Sequence, residues 1–219
     1  MKKVKMAVSM LFSVLILFVL VLGLKSDSSF EVYAEGEEEE PQHGIPVLYF
    51  NIDESKGTIE AMNQSPDHTA ECYGSVTIKV PEGYKSEYSD QTAEDMYDLE
   101  LEYIRGRGTS SWIIPDKKPY KMKFDKGQDL FGMGKNKHWV LLANAMDNTF
   151  LRNKITYKLG EELGMDYVMS SIPVEVVMNG RYYGLYYLCE HVRIGKTRIA
   201  IDELEEKDTS ADKITGGYL

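Results

Sequence analysis

The stretch Ile104-Arg105-Gly106-Arg107-Gly108-Thr109-Ser110-Ser111-Trp112, with Lys117-Lys118-Pro119-Tyr120-Lys121-Met122-Lys123-Phe124 behind it, decides how this chain reads. Its first piece is a Gly-rich turn entered from the alternating run Leu99-Glu100-Leu101-Glu102-Tyr103. Glycines let backbone N–H groups approach an anion closely, and Arg105 and Arg107 add positive charge. A plain β-turn with exposed arginines accounts for the same residues equally well. The second piece alternates as a strand does, with Tyr120, Met122 and Phe124 on one face and Lys121 and Lys123 on the other.

Further along, Trp139-Val140-Leu141-Leu142-Ala143 reads as a short buried strand, and Asn144 to Asn148 as a turn able to cap a helix. From Thr149, apolar residues recur at every fourth position (Leu151, Ile155, Leu159, Leu163), and Gly164 stands at the expected stop. Pro173 to Met178 and Tyr182 to Cys189 flank Asn179-Gly180, which predicts a type I′ hairpin. On the other side, Ile45 to Ile52 and Tyr73 to Val80 read as strands, and the polar, acidic stretch from Tyr84 to Asp98 as a loop. Together these predict an α+β fold: an antiparallel sheet of five or more strands with one helix packed on a face.

The 219 residues carry 25 Lys and Arg against 35 Asp and Glu, a formal net charge of −10, which disfavours general nucleic-acid binding. Residues 1–34 read as an export signal. Lys2, Lys3 and Lys5 precede the uncharged run Met6 to Leu24, and Val32-Tyr33-Ala34 offers small residues for cleavage before Glu35. That run also matches the roughly 20 residues needed to span a bilayer, so an uncleaved signal anchor is the alternative. Either way the remainder is expected outside the cell, secreted or at the cell surface. Residues 35–44, with Glu35 and Glu37 to Glu40, read as a solvated acidic linker. Residues 45–219 form one domain-sized stretch, and its last residues, Gly216-Gly217-Tyr218-Leu219, read as the start of a strand in a chain that continues. The two cysteines, Cys72 and Cys189, are read as unpaired thiols, one disulfide being the alternative. No Cys/His pair has zinc-ligand spacing.

The segments RGRGTSSW, KKPYKMKF, LFGMGKNKHWVLLANAMDNTFLRNKITYKLGEELG and PVEVVMNGRYYGLYYLCEHVRIGKTRIAI, in that order, resemble the spore-coat CotH family, whose members resemble atypical protein kinases. The order of Gly-rich turn, lysine-bearing strand, helix and hairpin is also that of a kinase small lobe. The resemblance implies ATP and a divalent metal as cofactors of a complete protein and a surface or spore-coat protein as its substrate. It implies cofactor-binding roles for Arg105, Arg107, Lys118, Lys121, Lys123, Arg152 and Glu190. Among the lysines Lys118 ranks first, because the family pattern keeps a lysine there. Arg152 either meets phosphate at the helix N-terminus or pairs with Asp147. Glu190, at the end of the second hairpin strand, either pairs with a base or bonds the nucleotide.

The expected function is therefore the N-terminal part of an exported CotH-like atypical protein kinase, moving the ATP γ-phosphoryl to Ser or Thr. No catalytic-loop Asp and no metal-binding Asp are recognisable, so the chain by itself is expected to be inactive. The rival expectation is a structural or adhesive surface module that keeps the lobe as a scaffold.

Overall fold

Tyr120, Met122 and Phe124 do share one face, and that face is the inside of a closed barrel. The structure, a computed structural model, describes residues 44–201, 204 and 206–214. Seven strands build it: β1 (Val47–Ile52), β2 (Glu71–Lys79), β3 (Met96–Gly106), β4 (Tyr120–Gln128), β5 (Asn136–Leu142), β6 (Ser171–Met178) and β7 (Arg181–Glu190). The helices are α1 (Ile59–Gln64), α2 (Ser110–Ile113), α3 (Arg152–Glu162) and α4 (Ala211–Ile214). Around the barrel the order is β1-β2-β3-β4-β5-β7-β6. β1 closes it by pairing antiparallel with β2 on one edge and parallel with β6 on the other.

Closure corrects the expected fold. The structure is a closed, mixed seven-stranded barrel and not an antiparallel α+β sheet of kinase small-lobe type with a packed helix. The helix forms at the expected place, but its apolar stripe does not pack on the sheet: Leu151, Ile155, Leu159 and Leu163 are 50%, 63%, 56% and 72% exposed. A sheet closed on itself buries its main apolar face internally, so the core needs no helix to cover it. The inside is filled by the strands' own large residues, with Trp139, Tyr120, Tyr186, Phe124, Leu48, Ile78, Ile104, Met122, Leu141 and Ile172 fully buried. Sequence periodicity reports which residues share a face, but not whether the two end strands meet.

One end of the barrel is plugged by the β3–β4 connection. Trp112, from α2, lies over Gly106, and its Nε1–H donates to the Ser65 carbonyl at 2.9 Å. A Cβ on Gly106 would stand 2.3 Å from the indole ring. Burying an indole is worth about 5 kcal/mol of transfer free energy, so this glycine is explained by packing. Gly108 takes φ +88°, a conformation glycine adopts freely, with the Ser111 hydroxyl crowding the same side.

The hairpin forms as expected. Asn179 and Gly180 both have positive φ, 47° and 77°, as a type I′ turn requires. The Asn179 side chain also completes the end of β1, accepting from Ile52 N at 2.7 Å and donating to Ile52 O at 3.1 Å. Cys72 and Cys189 are both buried free thiols, and burial pushes the Cys72 thiol up to about 11. The export signal, nearly all of the acidic linker and the final Gly-Gly-Tyr-Leu lie outside the described residues. Among the described residues no helix is long and apolar enough to cross a membrane.

Candidate functional site

Pairing register lays out the outer face of the barrel. Glu71 pairs with Arg105, Arg105 with Lys121, Lys121 with Val140 and Val140 with Cys189, and directly opposed residues share a face. One row therefore runs across β2, β3, β4, β5 and β7, basic at one end and apolar at the other. The adjacent row holds Tyr103, Lys123 and His138, whose ring lies 5.9 Å from that of His191 just beyond β7. Val140, Cys189 and Tyr187 are buried on this outer side and form an apolar cluster with Leu142, Phe150 and Met169, separate from the barrel core.

The basic end is crowded with like charge. Burial lowers the Lys121 pKa, and the nearby Arg105, Arg107 and Arg193 guanidinium groups lower it further against the opposing pull of Glu71. Burial, with Arg193, His191, Lys123 and Lys121 behind it, brings His138 down to about 4. His191 is lowered by burial and by Lys121 and Arg193. Glu71 stands 3.7 Å from Arg105 Nε, and Glu102 forms an ion pair with Lys123. Among the described residues Lys121 has neither a carboxylate nor a carbonyl bonded to its ammonium. A shallow depression lined by Gly127, Lys135, Asn136, Lys137, His138 and Arg193 extends this face. In a protein of net charge −10, such a cluster of cations marks a place for an anion.

The residues picked from sequence thus divide. Arg105, Arg107 and Lys121 come together on the outer face, and Lys123 joins them with its charge answered by Glu102. Lys118 turns elsewhere: its Nζ donates to the Trp112 and Pro115 carbonyls at 2.7 and 2.9 Å and closes the α2 turn. Arg152 is 74% exposed and sits 3.5 Å from Asp147, the structural partner considered for it. Asp147 also accepts from the Arg152 and Thr149 backbone N–H groups, so it caps α3 in place of Leu151. Glu190 points inward. One of its oxygens meets Arg198 Nη1 at 2.8 Å, and the other accepts from Tyr167 OH at 3.1 Å and Ser170 N at 3.0 Å.

Sequence reasoning missed His138, His191 and Arg193. The first was within reach, because alternation along β5 sets His138 and Val140 opposite Trp139 and Leu141. It also missed Arg198, which Glu190 holds under Trp139 with the guanidinium 4.8 Å from the ring, and Lys117. The Lys117 ammonium donates to the Leu185 carbonyl and lies 4.4 Å from the Tyr186 ring, and burial brings its pKa down to about 8. Lys154, from the first turn of α3, ties that helix to the barrel through Glu87, the Tyr88 hydroxyl and the Ser171 carbonyl. Among the described residues no three His, Cys, Asp or Glu side chains are grouped to hold a metal ion.

A family model described as CotH kinase protein matches residues 104–210. That span contains all seven residues singled out from sequence and every cation named on the outer face. A search of curated proteins finds no match to the chain.

Proposed function

Because residues 104–210 belong to the CotH kinase protein family, we propose that the outer face of β3, β4, β5 and β7 is the phosphate-binding side of a protein kinase site for ATP. The observation that carries this reading is the row Arg105, Lys121, Val140, Cys189, with Arg107 beside it, which joins a cationic end to an apolar floor. Arg105, Arg107 and Lys121 suit phosphate oxygens, and the buried cluster of Val140, Cys189 and Tyr187, covered by Leu142, Phe150 and Met169, is the packed support beside them. Lys121 is the central donor, having no competing partner of its own.

ATP supplies the γ-phosphoryl group, and a Ser or Thr hydroxyl of an exported surface protein is the acceptor that this reading assigns. The cations neutralise phosphate charge and fix its orientation, the two contributions on which phosphoryl transfer mainly depends. The described residues offer no metal cluster, so no metal role is derived for them. Lys118 and Glu190 serve the fold, and Arg152 serves the α3 cap. Their diversion is the observation that favours the second reading, a surface scaffold without catalysis.

Titration of ATP into the chain, followed by calorimetry, separates the two. Lys121→Ala and Arg107→Ala are each expected to weaken ATP at least tenfold while Lys118→Ala leaves ATP affinity within twofold in the folded fraction. Absence of ATP binding, or binding indifferent to Lys121 and Arg107, sinks the kinase reading and leaves the scaffold.

A further inference from the structure

Helix α3 is attached to the barrel by its polar side and turns its apolar side to solvent, the reverse of an ordinary surface helix. The polar side carries Asn153, which donates to Asn144 at 2.8 Å, and Lys154 with its three partners. The outward side carries Leu151, Ile155, Leu159 and Leu163, all at least half exposed, two within the helix and two as its cap residues. Spacing of four residues at 100° per residue keeps these in one stripe, which drifts slowly around the axis. Two charged residues lie inside that stripe. Arg152 stands near its start and Glu162 near its end, with side chains 74% and 70% exposed.

The stripe is symmetric about residue 157. Two such helices laid antiparallel, with a two-fold axis at that level, set Leu151 against Leu163, Ile155 against Leu159 and Arg152 against Glu162. Every apolar residue meets an apolar residue, and each charge meets its opposite, twice per pair. Parallel packing would instead set Arg152 against Arg152 and Glu162 against Glu162. Tyr157, at the centre, is half-buried on the barrel side and leaves the axis clear. Present partners of the two charges do not compete strongly. Arg152 lies 3.5 Å from Asp147, whose oxygens already accept from the Thr149 and Arg152 N–H groups, and Glu162 3.6 Å from Lys158 in an exposed pair of a kind that contributes little.

We infer that α3 is a homodimerisation surface, on which a second copy of this chain docks its own α3 antiparallel and isologously. Apolar burial drives the pairing, and the two Arg152–Glu162 contacts fix its direction. Nothing in this inference depends on nucleotide binding.

The test is sedimentation equilibrium of the full chain from about 1 µM to about 500 µM, a range that brackets micromolar affinity. The unaltered chain is expected to show a concentration-dependent dimer. Arg152→Glu and Glu162→Arg, each alone, place like charges at both ends and are expected to weaken the dimer at least tenfold. The combined R152E/E162R chain restores opposite charges and is expected to return within threefold of the original. Circular dichroism of all four chains checks that these exposed substitutions leave the fold unchanged. A monomer at every concentration overturns the inference, and the face then belongs to a different partner. Self-association that ignores the charge swaps also overturns it, since association through the apolar run Met6 to Leu24 would behave in that way.

Discussion

Replacing Glu190 by Gln removes one charge and almost no volume, at a place where the charge has few substitutes. The Glu190 carboxylate is 4% exposed, and its partner guanidinium on Arg198 is fully buried 2.8 Å away. At that distance, with an effective dielectric constant of about 20, the gross attraction is about 6 kcal/mol. Part of this is already offset by the desolvation of both ions, which is why a buried pair is not a large net gain. Removing one partner is different, because the desolvation of the other stays. Arg198 Nε and Nη2 have no hydrogen-bond partner among the described residues, so the Met133, Gly134 and Thr197 carbonyls on Nη1 would be its remaining acceptors. Glu190→Gln is therefore expected to cost about 3–5 kcal/mol, a large part of a typical domain stability of about 5–15 kcal/mol. Arg198→Met is expected to cost less, since Glu190 keeps Tyr167 and Ser170 as donors. Urea denaturation of the two single variants and the double variant gives the coupling directly. A loss below about 1 kcal/mol for Glu190→Gln, or strict additivity in the double variant, would refute the placement of Glu190 as a structural clamp. The freed carboxylate would then become available to the nucleotide face.

Three further outcomes follow from the geometry. Gly106→Ala drives a Cβ into the Trp112 ring, with 2.3 Å where contact needs more than 3 Å, and is expected to lower stability by about 2–3 kcal/mol in the same denaturation assay. His138 titrates in the folded protein near 4 against an ordinary value of about 6.5, so the folded state binds fewer protons. Its contribution to stability is present above pH about 6.5 and is lost as pH falls toward 4. His138→Gln should flatten the thermal midpoint against pH across that window, and an unchanged slope would show that the imidazole is not charge-crowded. Asn179→Ala removes both side-chain bonds to Ile52 and a residue suited to positive φ, for an expected loss of about 1–2 kcal/mol.

What the sequence discloses about this fold is local. Period-two alternation correctly placed Tyr120, Met122 and Phe124 on one face, and Asn179-Gly180 announced its turn. Both depend on interactions a few residues long. Barrel closure depends on β1 meeting β6 across more than a hundred intervening residues, and no periodicity in either strand encodes that. The same limit governed the site. Arg105 and Arg107 were singled out for the Gly-rich turn that carries them, and Lys121 for the strand face it shares with Lys123. Arg193 and His191 were not, because they stand in the loop that follows β7, outside any strand alternation. Lys118 was favoured over Lys121 on resemblance, while β4 begins only at Tyr120 and carries Lys121 on the outer face.

The helix is where local and global signals disagree most usefully. Its four-residue apolar period predicted an amphipathic helix, which forms, and packing on the sheet, which does not occur. Periodicity states that a helix has an apolar face, but it does not name what covers that face. Here Asn153 and Lys154 settle the question by holding the opposite side against Asn144, Glu87, Tyr88 and Ser171. Four polar anchors at one end of a short helix can set its rotation, and once they do, Leu151, Ile155, Leu159 and Leu163 must face outward. Asn153→Ala with Lys154→Ala should therefore release that rotation, and the helix should turn its leucines toward the Val140, Cys189 and Tyr187 cluster. Reduced binding of a hydrophobic dye by the double variant would show that turn. Increased binding would show instead that the helix had come away from the barrel, and the polar anchors would then account for its attachment but not for its orientation.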